Sequence, residues 1–184
     1  MLTGVIDTWG SSVGERARSY PCDQLLEGAD KTLFRAVTVG APSSLVFEWL
    51  CQLRKAPYSY DWIDNGGRRS PRQLDPTLTA LQTGQRFCGN FLLTAFEPGR
   101  SVTLFSDTPL FGAVGMTYEA DPLDEWSCRL VAKVVLATGL GVGGRFLSLA
   151  LPAGDLFMMR KQLLTLKTLA ERDAVGTGRR PSTS

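Results

Sequence analysis

The residues best able to do chemistry are concentrated in one short stretch between positions 58 and 69. This stretch contains Tyr58, Tyr60, Asp61, Trp62, Asp64, Asn65, Arg68 and Arg69. Burial of a carboxylate against aromatic rings disfavours its charged form, so Asp61 or Asp64 could transfer protons near neutral pH, assisted by a tyrosine. Nearby arginines oppose this, because a cation within a few ångströms lowers the pKa of a carboxylate. In the alternative reading, Trp62 fills one end of the core and the charged groups form surface ion pairs.

The chain contains no histidine. This absence excludes Ser-His-Asp and Cys-His nucleophilic catalysis, and it excludes metals bound by histidine. The four cysteines are widely spaced, without a C-x-x-C pair: Cys22, Cys51, Cys88 and Cys128. We therefore expect reduced, mostly buried thiols rather than disulfides, no metal and no cofactor.

Composition predicts one globular domain. Of the 184 residues, 43% are hydrophobic and 21% are charged, with a net charge of +2. The basic residues are dispersed, which argues against a nucleic-acid partner. No apolar run approaches the ~18 residues that a membrane span needs, so we expect no stable membrane insertion. The first residues lack a basic segment followed by an apolar one, which favours a cytoplasmic protein. Separately, we expect either a monomer or a homodimer.

The first half of the chain predicts a strand, two helices and a long loop. β-forming residues favour a strand over residues 32–39, stopped by Gly40-Ala41-Pro42. Apolar residues at three- and four-residue spacing then predict a helix capped by Ser43 or Ser44 and continuing to Arg54. A second short helix is expected over residues 59–65, and residues 66–84 form a loop of the length seen in lids and mobile segments.

The second half predicts an antiparallel meander followed by a long helix. From Gln85 to Thr138 the strands alternate, so that Met116 and Tyr118 share the apolar face of the last strand while Arg129 and Lys133 occupy a wet face. The segment from Arg145 to Arg172 is helical, with Pro152 kinking it or marking its start. One side of this helix is apolar and consists of Leu156, Met159, Leu163, Leu166 and Ala170. We expect it to pack on the apolar face of the meander, which is the large apolar surface available.

These patterns divide the chain into three parts. Residues 1–31 form a partly ordered N-terminal extension, residues 32–174 form the domain, and residues 175–184 form a flexible tail.

Two segments carry a resemblance to a known family. The stretches WLCQLRKAPYSYDWIDNGGRRSPRQL (49–74) and GDLFMMRKQLLTLKTLAER (154–172) resemble the actinobacterial branch of the START-like superfamily, also called SRPBCC, the polyketide cyclase/dehydrase and lipid transport family. The resemblance covers roughly residues 32–173. It implies an α+β helix-grip fold, in which a curved antiparallel sheet wraps a long C-terminal helix, with two short helices after the first strand and a cavity inside.

The resemblance also implies where a ligand would lie. The second short helix and its loop border the cavity mouth in this superfamily, which points to Tyr60, Trp62, Asn65 and Arg68. The cavity wall would include Met116 and Tyr118 from the sheet and Phe157, Met159 and Leu163 from the helix. Ordinary core packing is the alternative for the wall residues, since core and wall are the same surface in this fold.

Two functions follow from this set of residues, because the superfamily includes carriers and receptors as well as enzymes. The first is binding of an apolar small molecule that is polyketide-, quinone- or lipid-like. The alternative is a polyketide cyclase or dehydratase that needs neither metal nor histidine and transfers protons through Asp61, Asp64 and Tyr58. A protein-interaction domain would instead show an exposed apolar patch and no pocket.

Overall fold

The computed structural model describes residues 7–60, 66–67, 69–108, 112–137 and 142–176, with the side chains of the last helix described from residue 156 onward. The helices are α1 (Val13–Ala17), α2 (Ser43–Cys51) and α3 (Val142–Gly176), with 3-10 turns at Pro21–Gln24, Gln52–Arg54 and Pro76–Thr79. The strands are β1 (Lys31–Val39), β2 (Arg86–Phe87), β3 (Phe91–Glu97), β4 (Ser101–Thr108), β5 (Gly112–Pro122) and β6 (Cys128–Ala137).

The described strands form one antiparallel sheet in the order β1-β6-β5-β4-β3-β2. Met116 lies opposite Val134 and Tyr118 lies opposite Ala132, which confirms the predicted inward face. Helix α3 covers this face, and Leu163 and Leu166 are buried in the same core as both strands. The predicted grip arrangement is confirmed, because the two apolar faces exclude water by covering each other.

Helix α2 begins and ends differently from the prediction. The N-cap is Pro42, without a side-chain hydrogen bond, and its carbonyl accepts from the N–H groups of Leu45 and Val46. The prediction of a serine cap is therefore wrong: Ser43 is already helical. The α-helix ends at Cys51 and the chain continues as a 3-10 turn to Arg54, so two short helical elements follow β1. Of the helix predicted over 59–65, positions 59 and 60 are not helical and 61–65 lie outside the described residues.

Helix α3 is longer than predicted. Its backbone is helical from Val142, so neither Arg145 nor Pro152 is its start, and Gly143 and Gly144 belong to the helix. Glycine costs about 1 kcal/mol relative to alanine inside a helix. This cost is small enough for a helix already formed on the C-terminal side to extend through both glycines.

The outer face of the sheet is covered, contrary to the predicted wet face. Tyr20 and Cys22 of the N-terminal segment are buried in a second core with Phe34, Val131 and Val135, the last three of which point away from α3. We call residues 13–30 the outer layer; Trp9, which precedes it, packs instead against the inner core, with the Arg160 guanidinium 5.4 Å from its ring centroid. Lys133, predicted to face solvent, is buried beneath this layer, where its Nζ lies 2.6 Å from Asp23 and 5.2 Å from the ring centroid of Tyr20. The aromatic rings and the carboxylate replace the water that this cation would otherwise need.

Candidate functional site

The predicted site residues divide between described and undescribed parts of the chain. Five of them, Asp61, Trp62, Asp64, Asn65 and Arg68, lie outside the described residues. The others are placed: Met116, Tyr118, Met159 and Leu163 face one interior between sheet and helix, while Tyr60 and Phe157 meet at its rim.

This interior is sealed at one end and more open at the other. Along β5, Tyr118 and Ala120 are 1% and 0% exposed, whereas Val114 and Met116 are each 9% exposed. The same gradient runs along β6 from Leu130 (0%) to Leu136 (6%), and along α3 from Leu163 (0%) to Met159 (7%). On these three elements exposure rises slightly towards the same end of the fold, although all of these side chains remain in the buried core. Strand β1 does not share the trend, since Leu33 is 0% and Val37 is 8% exposed. We call Val114, Met116, Leu136 and Met159 the open end.

A polar pair lies where the sealed part begins. The Tyr118 hydroxyl donates to Gln162 Oε1 at 2.6 Å, and Gln162 Nε2 donates to the Pro57 carbonyl at 2.6 Å. Gln162 is buried, and its two bonds join the sheet, α3 and the chain that follows α2. Sequence reasoning did not single out this residue. The available signal was a glutamine between Met159 and Leu163, within the buried stripe of an amphipathic helix.

The chain beside this pair adopts an unusual backbone conformation. Tyr58 has φ of 56°, a left-handed value that side chains other than glycine rarely adopt. Its ring is buried edge-on against Trp49, with centroids 5.9 Å apart and planes at 83°. Trp49 in turn donates from Nε1 to Asp173 Oδ2. The described surroundings of the Tyr58 ring are therefore those of a packed core residue.

Two aromatic rings stack at the rim. Tyr60 and Phe157 have centroids 4.5 Å apart and planes within 3° of parallel. Phe157 is 59% exposed, so its outer face is open to solvent while its inner face meets Tyr60. A stacked aromatic pair contributes about 0.5–1.5 kcal/mol of stabilising free energy beyond that of the buried area. This is small enough for thermal motion to separate the two rings.

The long loop is fastened over much of its described length. Gln52, fully buried, donates from Nε2 to the Asp75 carbonyl and accepts from the Asp75 N–H, both at 3.1 Å. Lys55 Nζ adds an ion pair to Asp75 at 2.9 Å, and Arg54 donates to the carbonyl of Leu78. These contacts do not match a mobile lid over residues 75–80.

A polar cavity of about 580 Å³ lies at the opposite end of the sheet, on the side of the outer layer. Its lining is formed by Glu15, Arg18, Ser43, Pro98, Gly99, Arg100, Asp121, Pro122, Leu123 and Arg129. Each arginine is paired with an acid: Arg18 and Arg100 with Asp121, and Arg129 with Glu15 at 2.7 Å. The cavity is therefore lined by ion pairs, and these ion pairs hold α1 against the sheet.

The carboxylates with shifted pKa values belong to this network or to the surface. Burial is the largest influence on Glu119 and raises its pKa, with a further contribution from Asp121. Burial also acts to raise the pKa of Asp121, but hydrogen bonds from Arg18 and Arg100 outweigh it and lower that pKa. Both side chains point away from the α3 side of β5, so neither is placed to act on a molecule at the open end.

Within the described parts of the chain, no cluster of three acidic or cysteine side chains is arranged to hold a metal ion. A search of those same parts finds no helix with the length and apolarity needed to cross a membrane. The four cysteines all lie in described segments and are free thiols, as predicted.

Comparisons with known proteins give structural matches only. No family model matches the chain, and no curated protein matches it in sequence. A hypothetical protein from Helicobacter pylori superposes with a TM-score of 0.54 at 15% identity, over 84% of this chain and 96% of that one. A START superfamily protein from Mycobacterium smegmatis has a TM-score of 0.47 at 18% identity, over 77% and 97% of the two chains. The Zhui aromatase/cyclase from a Streptomyces species has a TM-score of 0.45 at 16% identity, over 84% and 99%.

The chain has a helix-grip fold, in which one antiparallel sheet packs against a long C-terminal helix. At these identities the likeness concerns the fold alone, because a helix-grip scaffold serves many activities and function depends on the site built on it.

Proposed function

We propose that this helix-grip protein binds an apolar small molecule at the open end of its interior. The observation that carries the proposal is the exposure gradient shared by β5, β6 and α3. We infer a concave, apolar recess between these three elements where their exposure rises, because such a recess is the usual form of a small-molecule site.

The chemistry of the recess fits a polyketide-, quinone- or lipid-like ligand. Its described walls are aliphatic or thioether side chains, and methionine adapts its shape to different ligands. At the inner limit, the Tyr118–Gln162 pair offers polar atoms to one end of an otherwise apolar molecule. For a ligand of about 25 heavy atoms, ~0.3 kcal/mol per atom corresponds to roughly 7–8 kcal/mol, or low-micromolar affinity.

The rim is the proposed place of entry. Tyr60 and Phe157 supply aromatic faces there, and Trp62, Asn65 and Arg68, which follow Tyr60 closely in the chain, are proposed to contribute further contacts.

Matched valine variants test the proposal. Val114→Phe enlarges a side chain in the recess, so it should leave the melting temperature nearly unchanged and weaken binding of the neutral fluorophore N-phenyl-1-naphthylamine by roughly tenfold or more. Val102→Phe makes the same change on β4 at a fully buried position opposite Tyr118. It should instead overpack the core and cost about 1–3 kcal/mol of unfolding free energy.

The proposal fails if wild-type protein does not enhance the fluorescence of this probe, and if no naphthoquinone, anthraquinone or fatty acid raises its melting temperature. It also fails if Val114→Phe is as destabilising as Val102→Phe, because position 114 would then be part of a filled core.

The enzymatic alternative is favoured by one observation, the hydrogen-bonded hydroxyl of Tyr118 at the inner limit of the recess. This phenol, or the undescribed Asp61 and Asp64, would move the proton in a cyclase or dehydratase. Liquid chromatography with mass spectrometry of a polyketide before and after incubation separates the two functions. Loss of water supports a dehydrating cyclisation, a new retention time at unchanged mass supports cyclisation without dehydration, and unchanged mass and retention time support binding alone.

A further inference from the structure

The segment Pro57–Tyr60, here called the rim segment, is held at three described points. Gln162 Nε2 donates to the Pro57 carbonyl at 2.6 Å, the Tyr58 ring packs on Trp49, and Tyr60 stacks on Phe157. Two of these three contacts are made by α3, on residues 157 and 162, which lie about 7.5 Å apart along the helix axis.

Backbone strain is present in the middle of the rim segment. Tyr58 is held at φ of 56°, and a tyrosine keeps such a conformation only where its surroundings determine it. The anchors on either side of Tyr58 supply that constraint. Loss of one anchor therefore favours a relaxed backbone, and the segment should move away from α3.

Gln162 is suited to its position because one side chain must both accept and donate. The Pro57 carbonyl can only accept, so the amide nitrogen must face it, and the amide oxygen is then left to accept from Tyr118. Both bonds are 2.6 Å long and the side chain is buried. Leucine would satisfy neither partner, and an ionised glutamate would satisfy Tyr118 while presenting a negative oxygen to the carbonyl of Pro57.

We propose that Gln162 is a positioning residue that holds the rim segment against α3, so that its amide sets how readily a ligand enters and leaves the recess. The role at the recess rests on the proposed function, whereas the anchoring of the segment is measurable without any ligand.

The first experiment follows hydrogen–deuterium exchange of the amides from Tyr58 to Tyr60, corrected for intrinsic exchange. At pH 7.5, Gln162→Leu and Gln162→Glu should both exchange roughly tenfold faster than wild type, as expected for loss of one buried hydrogen bond. At pH 5, protection should return in Gln162→Glu, because burial raises the pKa of the new carboxyl and its protonated form again donates to Pro57. Gln162→Leu should not recover.

The surroundings of Gln162 keep this pH response specific. Among described residues, Tyr118, Tyr58, Tyr60 and Arg35 are the titratable or charged groups on the Gln162 side of the packed elements, with Arg160 and Lys161 beside it on α3. Glu119 lies on the opposite face of β5 with a raised pKa, and because it is present in all variants, wild type and Gln162→Leu at both pH values record any effect of its titration. Phenols, guanidinium groups and lysines do not ordinarily change charge between pH 5 and 7.5. Thr168→Glu is the matched control, because it adds the same acid to an exposed position of α3 and should leave exchange of the rim segment unchanged at both pH values.

The second experiment measures dissociation of N-phenyl-1-naphthylamine, which should be roughly tenfold faster from Gln162→Leu than from wild type. If the wild type binds neither this probe nor any of the quinones and fatty acids named above, the proposed function fails, while the exchange result still decides the anchoring. The proposal is overturned if the rim segment keeps wild-type protection in both variants, or if faster exchange spreads evenly over β5 and β6. In the latter case Gln162 would only stabilise the fold. Should Gln162→Leu not fold, Gln162→Glu at the two pH values supports or overturns the proposal by itself.

Discussion

At the scale of single residues, two acids two positions apart on β5 respond to their surroundings in opposite ways. The Oε1 atom of Glu119 lies 3.0 Å from both Arg18 and Arg100, yet burial raises its pKa. The pKa of Asp121 is lowered, because hydrogen bonds from the same two arginines outweigh its burial. A lowered pKa means that Asp121 stabilises the fold above its ordinary value of 3.8, and that this stability is lost as the pH falls through the lower folded value.

We therefore expect Asp121→Asn to reduce the free energy of unfolding by about 1 kcal/mol at pH 7 and by much less near pH 2. Glu119→Gln is the control, with a smaller effect at pH 7, because a raised pKa favours the protonated form in the folded state. Urea denaturation at the two pH values measures both. Equal losses for Asp121→Asn at both pH values would show that the charge of this carboxylate does not stabilise the fold.

At the scale of elements, the outer layer changes the sheet from one-sided to two-sided. Its Tyr20 and Cys22 are buried against the sheet, and Cys22 N–H donates to Thr117 Oγ1 at 3.1 Å. Asp23 is the acid partner of the buried Lys133. Asp23→Asn removes that negative charge and should cost about 1–2 kcal/mol of unfolding free energy, because the ammonium group is left under the layer without its counter-charge.

Glu27→Gln is the matched control for this change, since it removes an acid from an exposed position of the same layer. We expect less than about 0.5 kcal/mol for it, as for most surface substitutions. Chemical denaturation compares the two. A cost for Asp23→Asn no greater than that for Glu27→Gln would mean that the aromatic rings alone hold Lys133.

At the scale of the whole molecule, three buried thiols report whether both layers unfold together. Cys22 is buried in the outer core, while Cys51 and Cys128 are buried in the inner core, where burial raises the pKa of each thiol to about 12. Thiols react as thiolates, so these three should react only when the structure opens. In a thiol-labelling time course read by mass spectrometry, the half-buried Cys88 should react first and the other three together at one slow rate.

Cys88→Ser should remove the fast phase and leave the slow one unchanged. The expectation of a single cooperative unit would be contradicted if Cys22 reacted well before Cys51 and Cys128, because the outer layer would then open while the grip stayed closed.

The sequence by itself determined the elements whose patterns are local. The alternation of Met116 and Tyr118 placed them on the inner face, and the spacing of Met159, Leu163 and Leu166 predicted a helix with one buried side. Because the sequence contains only two large apolar faces, one on the sheet and one on the helix, these patterns predicted that the helix packs on the sheet. The sequence also indicated free thiols from their spacing, and it excluded histidine chemistry from composition.

Tertiary structure alone decided which residues with weak local signals become buried. The strand pattern predicts that Lys133 faces solvent, and only the packing of the outer layer across the sheet buries it. From its position in the sequence, Gln162 is a polar residue at the edge of the apolar stripe of α3. Only the tertiary structure brings Tyr118 and Pro57, 44 and 105 positions away, within hydrogen-bonding distance of its side chain. The open end likewise arises from the packing of three elements distant in sequence, because the space left between side chains depends on how far apart their backbones are held.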